Sequence, residues 1–148
     1  MVAEFHRTFR HPVLEVPTLP DARRSRLRID LLAEELRELE EAVEAKDIVA
    51  VADALCDLQY VLSGAVLEFG LGGKFKSLFE EVQRSNMSKA CSTEEEAKRT
   101  VEYYRQSKAT ECHYEQAGDK WLVYRSSDQK TIKSVGYSPA DLESVLKS

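Results

Sequence analysis

Two aspartates four residues apart, Asp53 and Asp57, stand in a stretch that is otherwise almost wholly apolar. From Ile48 to about Phe69 the pattern is helical, and at about 100° per residue Val51, Leu55, Leu58, Leu62 and Val66 cover much of the circumference. One narrow strip differs: Asp53, Asp57, Tyr60 and Gly64 fall within roughly 60° of one another. So apolar a helix belongs inside a bundle, where two like charges are costly unless something positive neutralises them. No lysine or arginine occurs between 48 and 69. The compensation has to come from another helix or from a metal.

The helix before it brings only more acid. From about Arg24 to Ala45, Leu32, Leu36, Leu39 and Val43 recur at three- and four-residue steps. Glu35 is flanked by Leu32 and Leu39 and leans into that stripe. Glu34 and Glu38 run along its edge, while Arg37, Glu40 and Glu44 form the solvated face. Two helices joined by a tight turn pack antiparallel, which sets Glu34, Glu35 and Glu38 opposite Asp53 and Asp57. Carboxylates converging without a basic partner make an oxygen-ligand site for a hard cation, with Mg2+ the natural occupant and Mn2+ a substitute. The glutamate run alone is ordinarily a solvated helix face. The aspartate pair inside an apolar helix is what favours metal.

The elements that must hold these residues follow from the rest of the pattern. VAEFHRTFRHP opens as a short amphipathic helix closed by Pro12, and Asp21 is the expected N-cap of the acidic helix. Ala45-Lys46-Asp47 marks a break, with Asp47 capping the apolar helix, which ends at the Gly70, Gly72, Gly73 cluster. A shorter helix over 74–87 and a charged one over 93–106 follow. Strand character at 120–125 and 131–135, joined by Ser-Ser-Asp-Gln, suggests a hairpin anchored by Trp121, before a last short helix ending at Leu146. The fold class expected is an all-α antiparallel helical bundle with a small C-terminal β-hairpin, organised as a helical core over 1–90 with 91–148 packed on the same single domain.

With 148 residues, 43% hydrophobic and 32% charged, the composition is that of one globular domain. The formal charge of −5 argues against a dedicated nucleic-acid binder. Cys56, Cys91 and Cys112 form no CxxC pair and suggest neither a zinc site nor a disulfide framework; Cys56 reads as a small core residue. No segment is judged to approach the apolar length that spans a bilayer, and no signal-peptide run opens the chain, so the cytoplasm is the expected location. His6 and His11 lack metal-ligand spacing and are read as structural.

These residues resemble the all-α nucleoside triphosphate pyrophosphohydrolase superfamily, which includes MazG-type enzymes, dimeric dUTPases and phosphoribosyl-ATP pyrophosphohydrolase. The signature reads Glu34-Glu35-Leu-Arg-Glu38, then Asp53-Ala-Leu-Cys-Asp57-Leu-Gln-Tyr60. The phosphoribosyl-ATP pyrophosphohydrolase-like branch is the nearest match. It is similar in the Glu4-Phe5-His6 opening, in Arg84-Ser85-Asn86-Met87-Ser88-Lys89, and in Tyr137-Ser-Pro139-Ala-Asp141-Leu142. One departure is Ala54, where many members carry the acid of an ExxD motif; here the acid is Asp53, on nearly the same helix face. Segment 91–118 is longer than that branch leads one to expect.

The resemblance implies a pyrophosphohydrolase that cleaves a nucleoside triphosphate between the α- and β-phosphates. Glu35, Glu38, Asp53 and Asp57 would hold the metal, and Glu34, Glu35 or a neighbour would activate water. Arg84, Asn86 and Lys89 would reach the outer phosphates, although a basic last turn also suits the helix dipole. Tyr60 would stack on or hydrogen-bond to the nucleotide, although a tyrosine on a bundle helix is more often core. A dUTP-like or non-standard nucleotide is the favoured substrate. Phosphoribosyl-ATP hydrolysis, a nucleotide sensor and a non-catalytic assembly module are the alternatives. The uncovered apolar surface of 48–69 leads to an expected homodimer or pair of dimers.

Overall fold

A computed structural model describes residues 1–148. The chain is mostly helical, with one small antiparallel sheet, and it divides into two compact units, Met1–Phe75 and Lys76–Ser148.

The first unit contains α1 (Val2–Thr8), α2 (Ala22–Glu44) and α3 (Ile48–Glu68). Helix α2 starts where the Asp21 side chain accepts the Arg24 amide, and α3 where Asp47 accepts the amides of Val49 and Ala50. The intervening turn is short: Lys46 has a positive φ and its amide donates to the Val43 carbonyl. Short connection and paired caps together lay α3 back along α2 as an antiparallel hairpin. Helix α1 ends at Thr8, earlier than Pro12 alone would place it, with Phe9 and Arg10 leaving helical geometry. The chain then runs extended past the end of α3, where the Leu14 amide donates to Leu67 O and the Thr18 amide to Phe69 O.

Two expectations for α3 need correction. By length and mean hydropathy (1.4) it does meet the measure of a helix able to cross a membrane. It also carries Asp53, Asp57 and Glu68, and charges are costly in hydrocarbon. Cys56 is exposed in the single chain rather than a core residue, as are Ile48 (76% accessible) and Val49 (75%). The apolar pattern is there, but α1 and α2 cover only part of it.

The second unit contains α4 from Lys76 onward (the helix spans Phe75–Met87), α5 (Glu94–Lys108), β1 (Cys112–Ala117), β2 (Lys120–Arg125) and α6 (Leu142–Lys147). Its core is Cys91, Ala97, Val123 and Ile132, with Trp121 packed against it as expected. The hairpin is not the one expected. Strand β2 pairs with β1, from Cys112↔Arg125 to Ala117↔Lys120, across the turn Gly118-Asp119, while Thr131 makes only an isolated bridge to Tyr124. Gly118 supplies the positive φ that so short a turn requires. The Ser-Ser-Asp-Gln segment instead folds back on itself, with Asp128 paired to Arg125.

Candidate active site

The sequence leads one to expect Asp53 and Asp57 buried within a bundle, and in the single chain they are not. Glu35 is half-buried, whereas Glu34, Glu38, Asp53 and Asp57 are exposed. Two hollows run along the seam. Glu35 and Asp57 line one of about 460 Å³, and Glu38 and Asp53, with Glu41 and Asp47, line another of about 420 Å³ nearer the turn. Antiparallel packing explains this order, since 35 faces 57 and 38 faces 53. Glu34 lines neither hollow.

None of the five carboxylates takes part in an ion pair; the ion pairs of this chain join its basic residues to other acids. The Glu35 carboxyl is held above its ordinary value. Burial contributes most to that shift, followed by the charges of Glu38, Asp57, Glu34 and Asp53. The sequence leads one to expect these carboxylates to converge, but no three of them come together as a metal-holding group. The donor set nonetheless suits a hard divalent cation: five carboxylates, no thiolate among them, and no cationic side chain competing for them.

The larger hollow is shared between these acids and a group of rings, of which the sequence leads one to read His6 and His11 as structural and Tyr60 as a substrate contact. Phe5, His6, His11 and Tyr60 all line it. Phe5 meets Tyr60 edge-on, with centroids 5.6 Å apart and planes at 85°, and stacks toward His11 at 6.0 Å and 25°. His6 is 2% exposed and its Nδ1–H donates to the Pro12 carbonyl at 2.9 Å. The strip on α3 that carries Asp57 and Tyr60 ends at Gly64 for a steric reason. A Cβ there would stand 2.9 Å from both Arg28 Nη1 and His6 Nε2.

Arg28 is the other residue that was missed. It is buried on α2, one heptad before Glu35 on the same face, and donates through Nη2 to Glu68 at the end of α3. Arg24 donates to the same carboxylate, its Nε at 3.1 Å. Burial works to raise the Glu68 pKa, but hydrogen bonds from Arg28 and Arg24 overcome it and hold the carboxyl below its ordinary value. The seven-residue step from Arg28 to Glu35 and the four-residue step from Gly64 to Glu68 were the available signals.

Arg84, Asn86 and Lys89 lie in the second unit, on and just after α4. There Arg84 is held by Glu81 at 2.7 Å and by the Pro139 carbonyl at 2.8 Å, and Lys89 Nζ donates to Asn86 at 2.8 Å. Within that unit Arg84 ties α4 to the segment leading into α6.

The model of one protein family, phosphoribosyl-ATP pyrophosphohydrolase, matches residues 2–86, which takes in the acidic face and the whole ring-lined cavity. An uncharacterized protein of Acanthamoeba polyphaga mimivirus is 33% identical over 92 residues, covering 60% of this chain. The chain spans 37% of that relative's length.

Proposed function

The chain belongs to the phosphoribosyl-ATP pyrophosphohydrolase family, and from that premise we propose that it hydrolyses a nucleoside triphosphate to the monophosphate and pyrophosphate in a Mg2+-dependent reaction. The observation that carries this reading is the joining, in one cavity, of unpaired carboxylates and exposed aromatic rings. The first suits a metal-bound phosphate chain and the second a nucleoside.

Glu35, Glu38, Asp53 and Asp57 would hold the metal, Mg2+ or Mn2+. When bound, it would offset negative charge on the phosphate oxygens as water enters and pyrophosphate leaves. Glu35 sits half-buried among like charges, and its carboxyl is held above its ordinary value, which favours proton uptake there. It would take the proton of the attacking water, with exposed Glu34 orienting that water. Tyr60 lies one turn beyond Asp57 and would border the nucleoside.

A dUTP-like or non-standard nucleotide is the favoured substrate. Phosphoribosyl-ATP fits the family match equally well. The uncovered apolar residues of α2 and α3, among them Leu36, Val43, Val49 and Leu55, support a homodimer or a pair of dimers.

The deciding experiment is pyrophosphate release from a panel of ribo- and deoxynucleoside triphosphates and phosphoribosyl-ATP, with Mg2+ and with EDTA, beside Asp57→Asn. Metal-dependent release on one substrate, lost in the variant, is the expected result. No release from any substrate by a folded parent would remove the enzyme reading.

A further inference from the structure

The hairpin of the second unit has one edge covered and one edge open. On β2, Trp121 exchanges backbone hydrogen bonds with Cys91, the Val123 carbonyl accepts from Ile132, and the Arg125 amide donates to Lys130. Those β2 residues therefore turn their amides and carbonyls away from β1. Their register partners on β1 are Gln116, Tyr114 and Cys112, and these must turn theirs away from β2, because opposite residues in an antiparallel pair either exchange both bonds or neither. No hydrogen bond within the chain takes up the outward amide or carbonyl of Cys112, Tyr114 or Gln116.

An open row of backbone donors and acceptors is a template for another strand, and native edges are commonly guarded by lysine, proline or a bulge. The segment Cys112–Ala117 has neither lysine nor proline, and its register with β2 runs unbroken.

The side chains select the strand that fits. Cys112 and Tyr114 pack toward the core, which leaves His113 and Glu115 exposed on the other face. The His113 ring lies 5.7 Å from that of Tyr124, and neither His113 nor Glu115 has a hydrogen-bond or ion-pair partner in the chain. A second copy of β1, laid antiparallel, must set its own outward residues against Cys112, Tyr114 and Gln116. With Tyr114 opposite Tyr114, His113 falls opposite Glu115 and Glu115 opposite His113, an imidazole N–H against a carboxylate on each side of the axis. Sliding by two residues in one direction sets His113 against His113, and in the other Glu115 against Glu115. Only the centred register pairs unlike groups.

We propose that β1 pairs antiparallel with β1 of a second copy about a two-fold axis at Tyr114, joining the two hairpins into one four-stranded sheet. Cys112 and Gln116 of opposite copies then exchange backbone bonds, as do the two Tyr114 residues. Helix α5 packs on both β1 and β2. Its two copies would share one face of the joined sheet, about two strand spacings or 10 Å apart, a distance at which helices pack. This surface is separate from the apolar residues of α2 and α3, and the proposal does not depend on the nucleotide reading.

The test follows β1 in the full chain by NMR. Amide exchange at Cys112, Tyr114 and Gln116 is expected to slow about tenfold or more as protein concentration rises, while the amides of His113 and Glu115, already bonded to β2, change little. In an equal mixture of isotope-labelled and unlabelled chains, an intermolecular NOE is expected between the Hα atoms of His113 and Glu115. Glu115→Lys, at an exposed position, loses both cross-copy pairs at once and is expected to raise the concentration of half-protection about tenfold. The double variant His113→Glu with Glu115→Lys restores unlike pairs and is expected to return to within about threefold of the parent.

Exchange at Tyr114 that does not depend on concentration would overturn the proposal. So would protection without the His113–Glu115 NOE, or a double variant no better than Glu115→Lys. Protection that appears only on adding an extended valine–threonine peptide would give the edge to another protein and equally overturn self-pairing. Every readout lies on β1, so a dimer formed through α2 and α3 alone does not supply them.

Discussion

Arg28 donates to Glu68 across 40 residues of sequence, tying the first half of α2 to the last turn of α3 at a carboxylate that is 1% exposed. Arg24 reaches the same oxygens from one turn earlier. Removing one member of a buried ionic group leaves the others uncompensated, which costs about 3–5 kcal/mol. Glu68→Gln is therefore expected to lower unfolding stability by about that amount in urea denaturation. A loss below about 1 kcal/mol would mean that the triad is not held as described.

The same residue sets an acid dependence. The Glu68 carboxyl lies below its ordinary value of 4.5 when folded, so the folded state favours the ionised form. Its contribution is fully present above that ordinary value and is lost as pH falls through the depressed one. The stability gap between parent and Glu68→Gln should be constant near neutrality and shrink in acid below pH 4.5. Denaturation midpoints of both proteins over a pH series measure this directly. A gap that widens on acidification would contradict the sign.

The unpaired acidic face predicts a metal response that does not need turnover. Mg2+ binding to the folded chain alone would stabilise it by about 2.7 kcal/mol at a hundredfold excess over Kd. The parent's Tm should rise with Mg2+ and fall back with EDTA. Asp57→Asn should start from a Tm at least as high as the parent's in EDTA, with one repulsion removed, and gain much less from Mg2+. An equal gain in both would move the cation elsewhere.

Gly64→Ala tests the close approach of three elements. Alanine favours a helix interior by about 1 kcal/mol over glycine. Here its Cβ would press on Arg28 and His6 at 2.9 Å, in a buried setting where overpacking costs about 1–3 kcal/mol. A net loss of about 1 kcal/mol is expected, together with shifts in the His6 ring resonances. A net gain would show that α1 and Arg28 yield freely.

In the second unit, Glu81 accepts from Arg84 and from the Asp141 amide at 2.8 Å, which holds its carboxyl down at about 2. That link joins α4 to the N-cap of α6 and should persist until pH approaches 2. NMR titration of the Glu81 carboxyl and the Asp141 amide should therefore show one coincident midpoint near that value. Glu81→Gln should speed amide exchange at Asp141 and Leu142. A midpoint near the ordinary 4.5 would mean that the pair is open in solution.

The hairpin of α2 and α3 was legible because its signals are local: Asp21 and Asp47 as caps, heptad leucines, and two aspartates where an apolar helix has no use for them. Antiparallel packing set Glu34, Glu35 and Glu38 opposite Asp53 and Asp57, and the structure then groups 35 with 57 and 38 with 53. What stayed hidden was non-local. Nothing near Arg28 in sequence announces Glu68, and a histidine on a seven-residue helix does not reveal that Pro12 and Gly64 enclose it. The hairpin error had a related cause. Strand propensity favoured 131–135, but a strand takes the partner its turn permits, and Gly118-Asp119 brought 112–117 to β2 first.

One consequence follows from the shortness of the connection between α2 and α3. The acids and the cavity that adjoins them all belong to the first 61 residues, and the Glu68 tie that braces them comes seven positions later. A chain growing residue by residue on a ribosome thus acquires every one of these groups before any part of the second unit is added. During synthesis, the chemically distinctive half of this molecule is the earlier one.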